Sequence, residues 1–267
     1  MIKALVLSVL LSCLTASALA QTQPTPATKR SPRSEASVGP PGSARTGRCQ
    51  VGVIPITGNL FGVKRIGYTI FGNEYKRIRV DDWGFDDLVS ARVRAAAPRL
   101  VVQRISYDKE DLQRSKREQS LFRDADNEAR DFVRKVASET RCERYLVVHI
   151  SSSSISERND VATGMGMVYL SSPIKNRVYL FALTYIRIYD GQSFELIKQG
   201  AALIEDEPAG SVLLGLTPFR GPKLQIDESL FPAAPEQAAR DSFLRDGVRA
   251  LLAASLDKTL PAMLRPQ

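Results

Sequence analysis

Apolar residues in this chain gather into short β-branched runs separated by amphipathic stretches. Residues 50–56, QVGVIPI, form an apolar run of strand length, preceded by Cys49 and followed by a glycine-punctuated segment, 57–62. A run of the same design, YLVVHI at 145–150, follows Cys142-Glu143-Arg144, and LVVQRISY occupies 100–107. Continuous apolar runs of this length suit strands covered on both faces. Between the first and the last of these, DDWGFDD opens a helix that runs to about residue 97 and stops before Pro98. Asp82 is placed to cap it, Asp86 and Asp87 suit the positive end of its dipole, and Trp83, Phe85, Leu88, Val89 and Val93 face inward. A second helix is predicted over about 111–140. Leu121, Phe122, Ala125, Ala129, Phe132, Val133, Val136 and Ala137 recur there with a 3.6-residue period, and charge fills the other face. Strand, helix, strand, helix, strand in one sheet requires right-handed crossovers and parallel pairing, and 50–56 and 145–150 are expected to be neighbouring strands of that sheet.

The remaining pattern extends this core. Residues 57–73 read as a loop with a short hairpin-like element, GYTIF, turning at Gly72-Asn73, and YKRIRV at 75–80 as a short strand. Residues 151–160, SSSSISERND, are polar and read as a mobile loop, after which 164–170 regains apolar character. VYLFALTYIRIY at 178–189 is the longest strand expected. Asp190-Gly191 then turns the chain into a returning arm over 194–204, since Asp-Gly between two β-rich runs signals a hairpin. Residues 208–235 read as a long loop, and Pro235 suits the first turn of a final helix to about 260 whose apolar face is Phe243, Leu244, Val248, Leu251, Leu252 and Leu256. The fold class expected is α/β: a mixed sheet with a parallel strand-helix-strand-helix-strand core, a long antiparallel hairpin added, and a C-terminal helix packed on the sheet.

The first 48 residues fall outside that pattern. Lys3, the apolar residues 4–14 and the small-x-small Ala18-Leu19-Ala20 make a secretory signal peptide, with cleavage expected after Ala20. Its apolar stretch is shorter than the roughly 20 residues of a membrane span. Leu10-Leu11-Ser12-Cys13 offers a lipoprotein box as the alternative, with anchoring at Cys13. Residues 21–48 are rich in Pro, Ser, Thr and Gly and cannot bury enough surface to order themselves. The formal net charge is +8. Much of it is held here by Lys29, Arg30, Arg33, Arg45 and Arg48 against Glu35, so a solvated basic linker, or one touching an anionic envelope surface, is expected. Export argues against nucleic acid as a partner. Residues 49–267 then make a single α/β domain.

After cleavage two cysteines remain, Cys49 and Cys142, 93 residues apart. An exported chain meets an oxidising compartment. If their strands are parallel neighbours, both sulfurs reach the same sheet edge and a bridge fits; otherwise they are two isolated thiols. No nucleophile–base arrangement accompanies the single histidine, His149, and GxSxG, GxxxxGK[ST] and a helix-opening GxGxxG are absent. No cofactor and no metal is expected. Asp81, Asp82, Asp86 and Asp87 could hold a cation, but capping explains them more simply.

The hairpin motif Tyr185-Ile186-Arg187-Ile188-Tyr189-Asp190-Gly191 with Phe194-Glu195-Leu196, set after a strand-helix-strand-helix-strand unit in an exported chain, resembles a bacterial envelope α/β domain. That domain is shared by the curli-secretion channel lipoprotein, the N-terminal domain of TolB and the outer-membrane activators of penicillin-binding proteins. The stretch through DDWGFDD also resembles uncharacterised secreted bacterial proteins. The resemblance implies a non-catalytic periplasmic protein of the cell envelope that binds or assembles with a protein partner and can self-associate. The alternatives are an oligomeric envelope channel or scaffold, with 151–177 in the place of the channel family's membrane hairpins, and a metal-dependent hydrolase using the Asp81–Asp87 cluster.

Overall fold

Val51, Val53 and Ile54 are buried on opposite faces of one strand, which is why this run carries no polar side. In the computed structural model, residues 48–69, 72–108, 125–155, 160–205, 211–212 and 217–265 are described. The chain divides into units Met1–Ala44 and Arg45–Gln267; the first lies outside the described residues, as do the expected leader, Cys13, most of the basic linker and the first part of the second helix.

In chain order the elements begin with β1 (Val51–Ile56), β2 (Leu60–Ile66), β3 (Glu74–Arg79), α1 (Phe85–Ala96), β4 (Val102–Arg104), α2 (Ala125–Val136) and β5 (Arg144–Ile150). There follow β6 (Ser152–Ile155), β7 (Asp160–Thr163), β8 (Met165–Leu170), β9 (Arg177–Ala182), β10 (Thr184–Asp190), β11 (Leu196–Ala201), β12 (Lys223–Ile226) and α3 (Ser242–Leu264). The class is mixed α/β. β1 lies between β4 and β5, parallel to both, with Val53 opposite Leu146. β10 adds antiparallel to β5, and β11 to β10. The first sheet is therefore β11-β10-β5-β1-β4, and a second runs β12-β9-β8-β2-β3.

The two orders correspond strand for strand. β1 continues into β2 through residues 57–59, β9 runs into β10 through Leu183 alone, and β5 leads to β8 around the β6–β7 hairpin. The sheets are thus joined along a crease crossed three times. At the crossings Gly58 (φ 74°) and Gly164 (φ 68°) adopt the left-handed backbone that favours glycine. Main-chain bonds stitch the same line: the Gly164 amide donates to the Ser151 carbonyl (2.9 Å), Leu183 to Gly164 (2.8 Å) and Ser151 to Leu183 (3.0 Å).

Three layers of packing hold this framework. α1 and α3 cover one face of both sheets, in a core that includes Val53, Phe61, Trp83, Val89, Leu146, Met167, Leu180 and Leu252. α2 and the turn that follows it cover the other face of the first sheet through Val133 and Ala137, which pack with Ile54, Tyr145 and the two cysteines. The β6–β7 hairpin and Phe219 cover the second sheet there, through Ile155 and Ala162. Close approach is needed at the β2–β8 pair. Gly62 stands opposite Gly166, and a Cβ on Gly166 would lie 2.5 Å from the Gly62 carbonyl oxygen. The Asp190-Gly191 turn closes as expected: Asp190 Oδ1 accepts from the amides of Gln192 and Ser193, each at 2.8 Å. Those backbone bonds hold its pKa below the usual carboxylate value.

Several expectations are corrected. Leu60–Ile66, read as loop, is an inner strand of the second sheet, because β8 and β3 flank it and bury Phe61, Val63 and Ile66. The run 178–189 is two strands in two sheets, divided at Leu183. Residues 152–155, within the 151–160 stretch read as a mobile loop, pair with 160–163 as a hairpin. The long loop contains β12, and Pro235 opens a 3-10 turn, Pro235–Arg240, ahead of α3, whose N-cap is Asp241. Asp82 does not cap α1; the N-cap is Gly84, with no side-chain cap bond. Phe243 points outward. Among the described residues no helix is long and apolar enough to cross a membrane.

Candidate functional site

Where β1 and β5 end, the crease opens into a cleft of about 290 Å³. The carboxyl ends of parallel strands are where open α/β sheets receive ligands. Its floor is largely backbone, at Gly58, Gly62 and Gly164, and its walls carry Thr57, Tyr75, Arg77 and Tyr107. Tyr75 and Arg77 share one face of β3 because strand side chains alternate. The Arg77 Nε donates to the Tyr75 hydroxyl at 2.8 Å. Lys64, on the same face of β2, lies 4.8 Å from the centre of the Tyr75 ring and pairs with Asp160. Arg77 has no carboxylate partner among the described residues.

The expected acidic cluster is taken up by fastening this region. The Thr57 amide and hydroxyl both donate to Asp86 Oδ1, at 3.1 and 2.6 Å, tying the end of β1 to the start of α1. Asp87 pairs with Arg104, and Asp81 with Arg79 and Asn59. Three of the four carboxylates therefore diverge toward separate partners. Among the described residues no three His, Cys, Asp or Glu side chains converge as a metal site would require.

Tyr107 joins the cleft to α2, its ring edge-on to Phe132 at 6.1 Å. Its phenol is pushed well above its ordinary value of 10.0, first by burial and then by the Asp86 charge, with Arg104 acting in the opposite sense. A raised phenol pKa means that the unfolded chain loses this proton first. The stabilisation is fully present below the unfolded value near 10.0 and is lost as pH rises through the higher folded value. Urea midpoints measured between about pH 8 and 11 should fall above pH 10, and Tyr107→Phe should flatten part of that fall. An unchanged slope in the variant would contradict the assignment.

At the opposite end of the same strands, Cys49 and Cys142 are joined, with sulfurs 1.97 Å and Cα atoms 4.5 Å apart. The Glu143 amide donates to the Cys49 carbonyl and Arg144 to Gln50, each at 3.1 Å, so the bridge sits where β1 and β5 begin to pair. His149 is half-buried on β5, its Nδ1 2.9 Å from the Ile150 carbonyl and its ring 5.6 Å from that of Tyr185. Tyr75, Arg77 and Tyr107 were not singled out by sequence reasoning. The alternation in YKRIRV was the available signal for the first two; nothing in the sequence draws Tyr107 to them.

The sequence matches no protein-family model and no curated protein. Among solved structures the chain is similar to a lipoprotein from Neisseria meningitidis, at 6% identity and TM-score 0.24 over 62% of this chain and 92% of that one. It is also similar to a neuraminyllactose-binding hemagglutinin homolog from Helicobacter pylori, at 8% identity and TM-score 0.29 over 84% and 87%. Likenesses at these scores assign no function.

Proposed function

We propose that the chain is a non-catalytic cell-envelope protein that receives an extended segment of a protein partner along β3. The observation that carries this is the position of β3. It is an edge strand with five of its six residues exposed, and it forms one wall of the crease cleft. An edge strand presents unpaired main-chain donors and acceptors. An added strand would satisfy them, while the cleft takes an alternate side chain of the partner. Arg77 favours a carboxylate on that segment, and Tyr75 an apolar or aromatic neighbour. The leader-like N-terminus and the Cys49–Cys142 bridge support an exported setting, because such bridges persist in oxidising compartments.

The test is site-specific photo-crosslinking in the full chain, expressed with its leader in a Gram-negative host. A crosslinker at Lys76 or Arg79 on β3 is expected to trap the same envelope protein, and one at Lys258 on α3 is expected to trap none. The double variant Tyr75→Ala, Arg77→Glu should abolish the adduct. Equal trapping from α3, or no adduct from β3, would overturn the proposal.

A further inference from the structure

β3 stands between two recesses, because its side chains alternate between the faces of the second sheet. Tyr75 and Arg77 turn to the crease cleft. Glu74 and Lys76 turn to the opposite, helix-bearing face. There a recess of about 200 Å³ lies between β3, β2 and the segment 231–235, walled by Val63, Phe231, Pro232, Ala233 and Pro235. Two contacts hold that segment to the sheet. The Arg65 guanidinium lies 4.4 Å from the centre of the Tyr169 ring and 4.7 Å from that of Phe231, and Lys76 pairs with Glu236.

The two recesses differ in charge. Beside the second one, Arg65 stands opposite Glu74 in the β2–β3 ladder and Lys76 is paired with Glu236. The charges balance, and what the recess offers a ligand is the apolar surface of Phe231 and the prolines. On the cleft face Arg77 donates to the Tyr75 hydroxyl and has no carboxylate partner among the described residues.

The main chain sets how a docked strand would meet both. The Val80 amide donates to the Asn59 carbonyl at 2.8 Å. Hydrogen-bonded pairs recur at every second residue of an antiparallel ladder, so Ile78, Lys76 and Glu74 bond to β2. Tyr75, Arg77 and Arg79 therefore turn their amides and carbonyls to the outer edge. A residue docked opposite Arg77 shares the face of Arg77, and its two neighbours share the face of Lys76.

We propose that the segment received by β3 carries an acidic residue flanked by a large aliphatic one, the acid meeting Arg77 and the aliphatic side chain entering the recess at Phe231. This rests on the reading of β3 as a docking edge and adds the sequence pattern that the edge selects. A slip of one residue exchanges the faces, bringing the acid to Glu74 and Glu236 and the aliphatic group to Arg77.

Fluorescence anisotropy with the full chain and two labelled, amidated peptide isomers tests the pattern. In Thr-Ser-Leu-Asp-Leu-Ser-Thr the acid opposite Arg77 sends both leucines to the recess face, whichever way the strand runs. In Thr-Leu-Ser-Asp-Ser-Leu-Thr all three side chains share one face. The first is expected to bind about tenfold more tightly or better, the scale of withdrawing one leucine side chain from water. Ala233→Trp, at an exposed wall position, should fill the recess and erase that difference, and Phe231→Ala should reduce it. Arg77→Glu should abolish binding of both. Equal binding of the isomers, both lost with Arg77→Glu, would overturn the pattern and leave β3 as the docking edge, and a difference that survives Ala233→Trp would do the same. No binding of either peptide, or binding indifferent to Arg77→Glu, would overturn the docking edge itself and the pattern with it.

Discussion

Replacing Cys49 and Cys142 together by serine is expected to remove about 4.5 kcal/mol of folding stability in the chain-entropy account of cross-links. The bridge joins positions 93 residues apart, so it confines a large part of the unfolded domain. At roughly 2–4 °C per kcal/mol for a domain of this size, the melting temperature should fall by about 9–18 °C. Reduction of the native chain should reproduce the shift. The site of the bridge adds a native-state consequence. Cys142 Sγ lies where a Cβ on Gly52 would come within 3.1 Å, beside the Tyr145 ring, so the cysteines also complete the core under α2. A shift below about 3 °C would mean that β1 and β5 are held in register by their main-chain ladder and side-chain packing alone.

Trp83→Ala is the second large effect, at about 3–5 kcal/mol. Trp83 is 1% exposed and its ring contacts Phe61 at 4.9 Å and Phe85 at 5.9 Å between centroids. Its Nε1 donates to the Ala239 carbonyl at 3.3 Å, and its own carbonyl accepts from the Arg249 guanidinium on α3. One side chain therefore connects β2, the start of α1 and the approach to α3, and truncation leaves both a void and an unpaired carbonyl. Phe243→Ala is the matched control. Phe243 is 47% exposed on α3, and its loss should change stability by about 0.5 kcal/mol or less. Urea denaturation of the two variants distinguishes these outcomes; equal effects would refute the role assigned to Trp83.

Much of the framework was legible because the signals behind it are local. The β-branched runs at 50–56 and 145–150 announced strands covered on both faces. Asp190-Gly191 announced a turn because its side chain and the following amides form bonds within four residues. Phe132, Val133, Val136 and Ala137 announced a helix face because helical period depends only on spacing. The candidate site was far less legible. Tyr75 and Arg77 gain meaning from lying on an edge strand beside the crease. That circumstance is not written in the neighbouring residues. The aspartates of DDWGFDD illustrate the converse: their clustering in sequence suggested a shared ligand, yet successive helical and turn positions point them at Thr57, Arg104 and Arg79 in different directions.

The sequence by itself therefore pointed to the strands at 50–56 and 145–150, to the helices α1, α2 and the body of α3, and to β1 and β5 as neighbours with Cys49 and Cys142 at one end of them. Alternation, helical period and turn chemistry act over a few residues, and parallel crossover handedness leaves little freedom in joining them. Only the tertiary structure decided that 178–189 divides at Leu183, that Leu60–Ile66 is an inner strand, and that the two sheets meet in a crease that opens into a cleft beside β3. Those outcomes depend on which strands lie to the left and right of each segment. Pairing partners distant in sequence, not the segment's own residues, settle where a sheet ends and where its floor is left open.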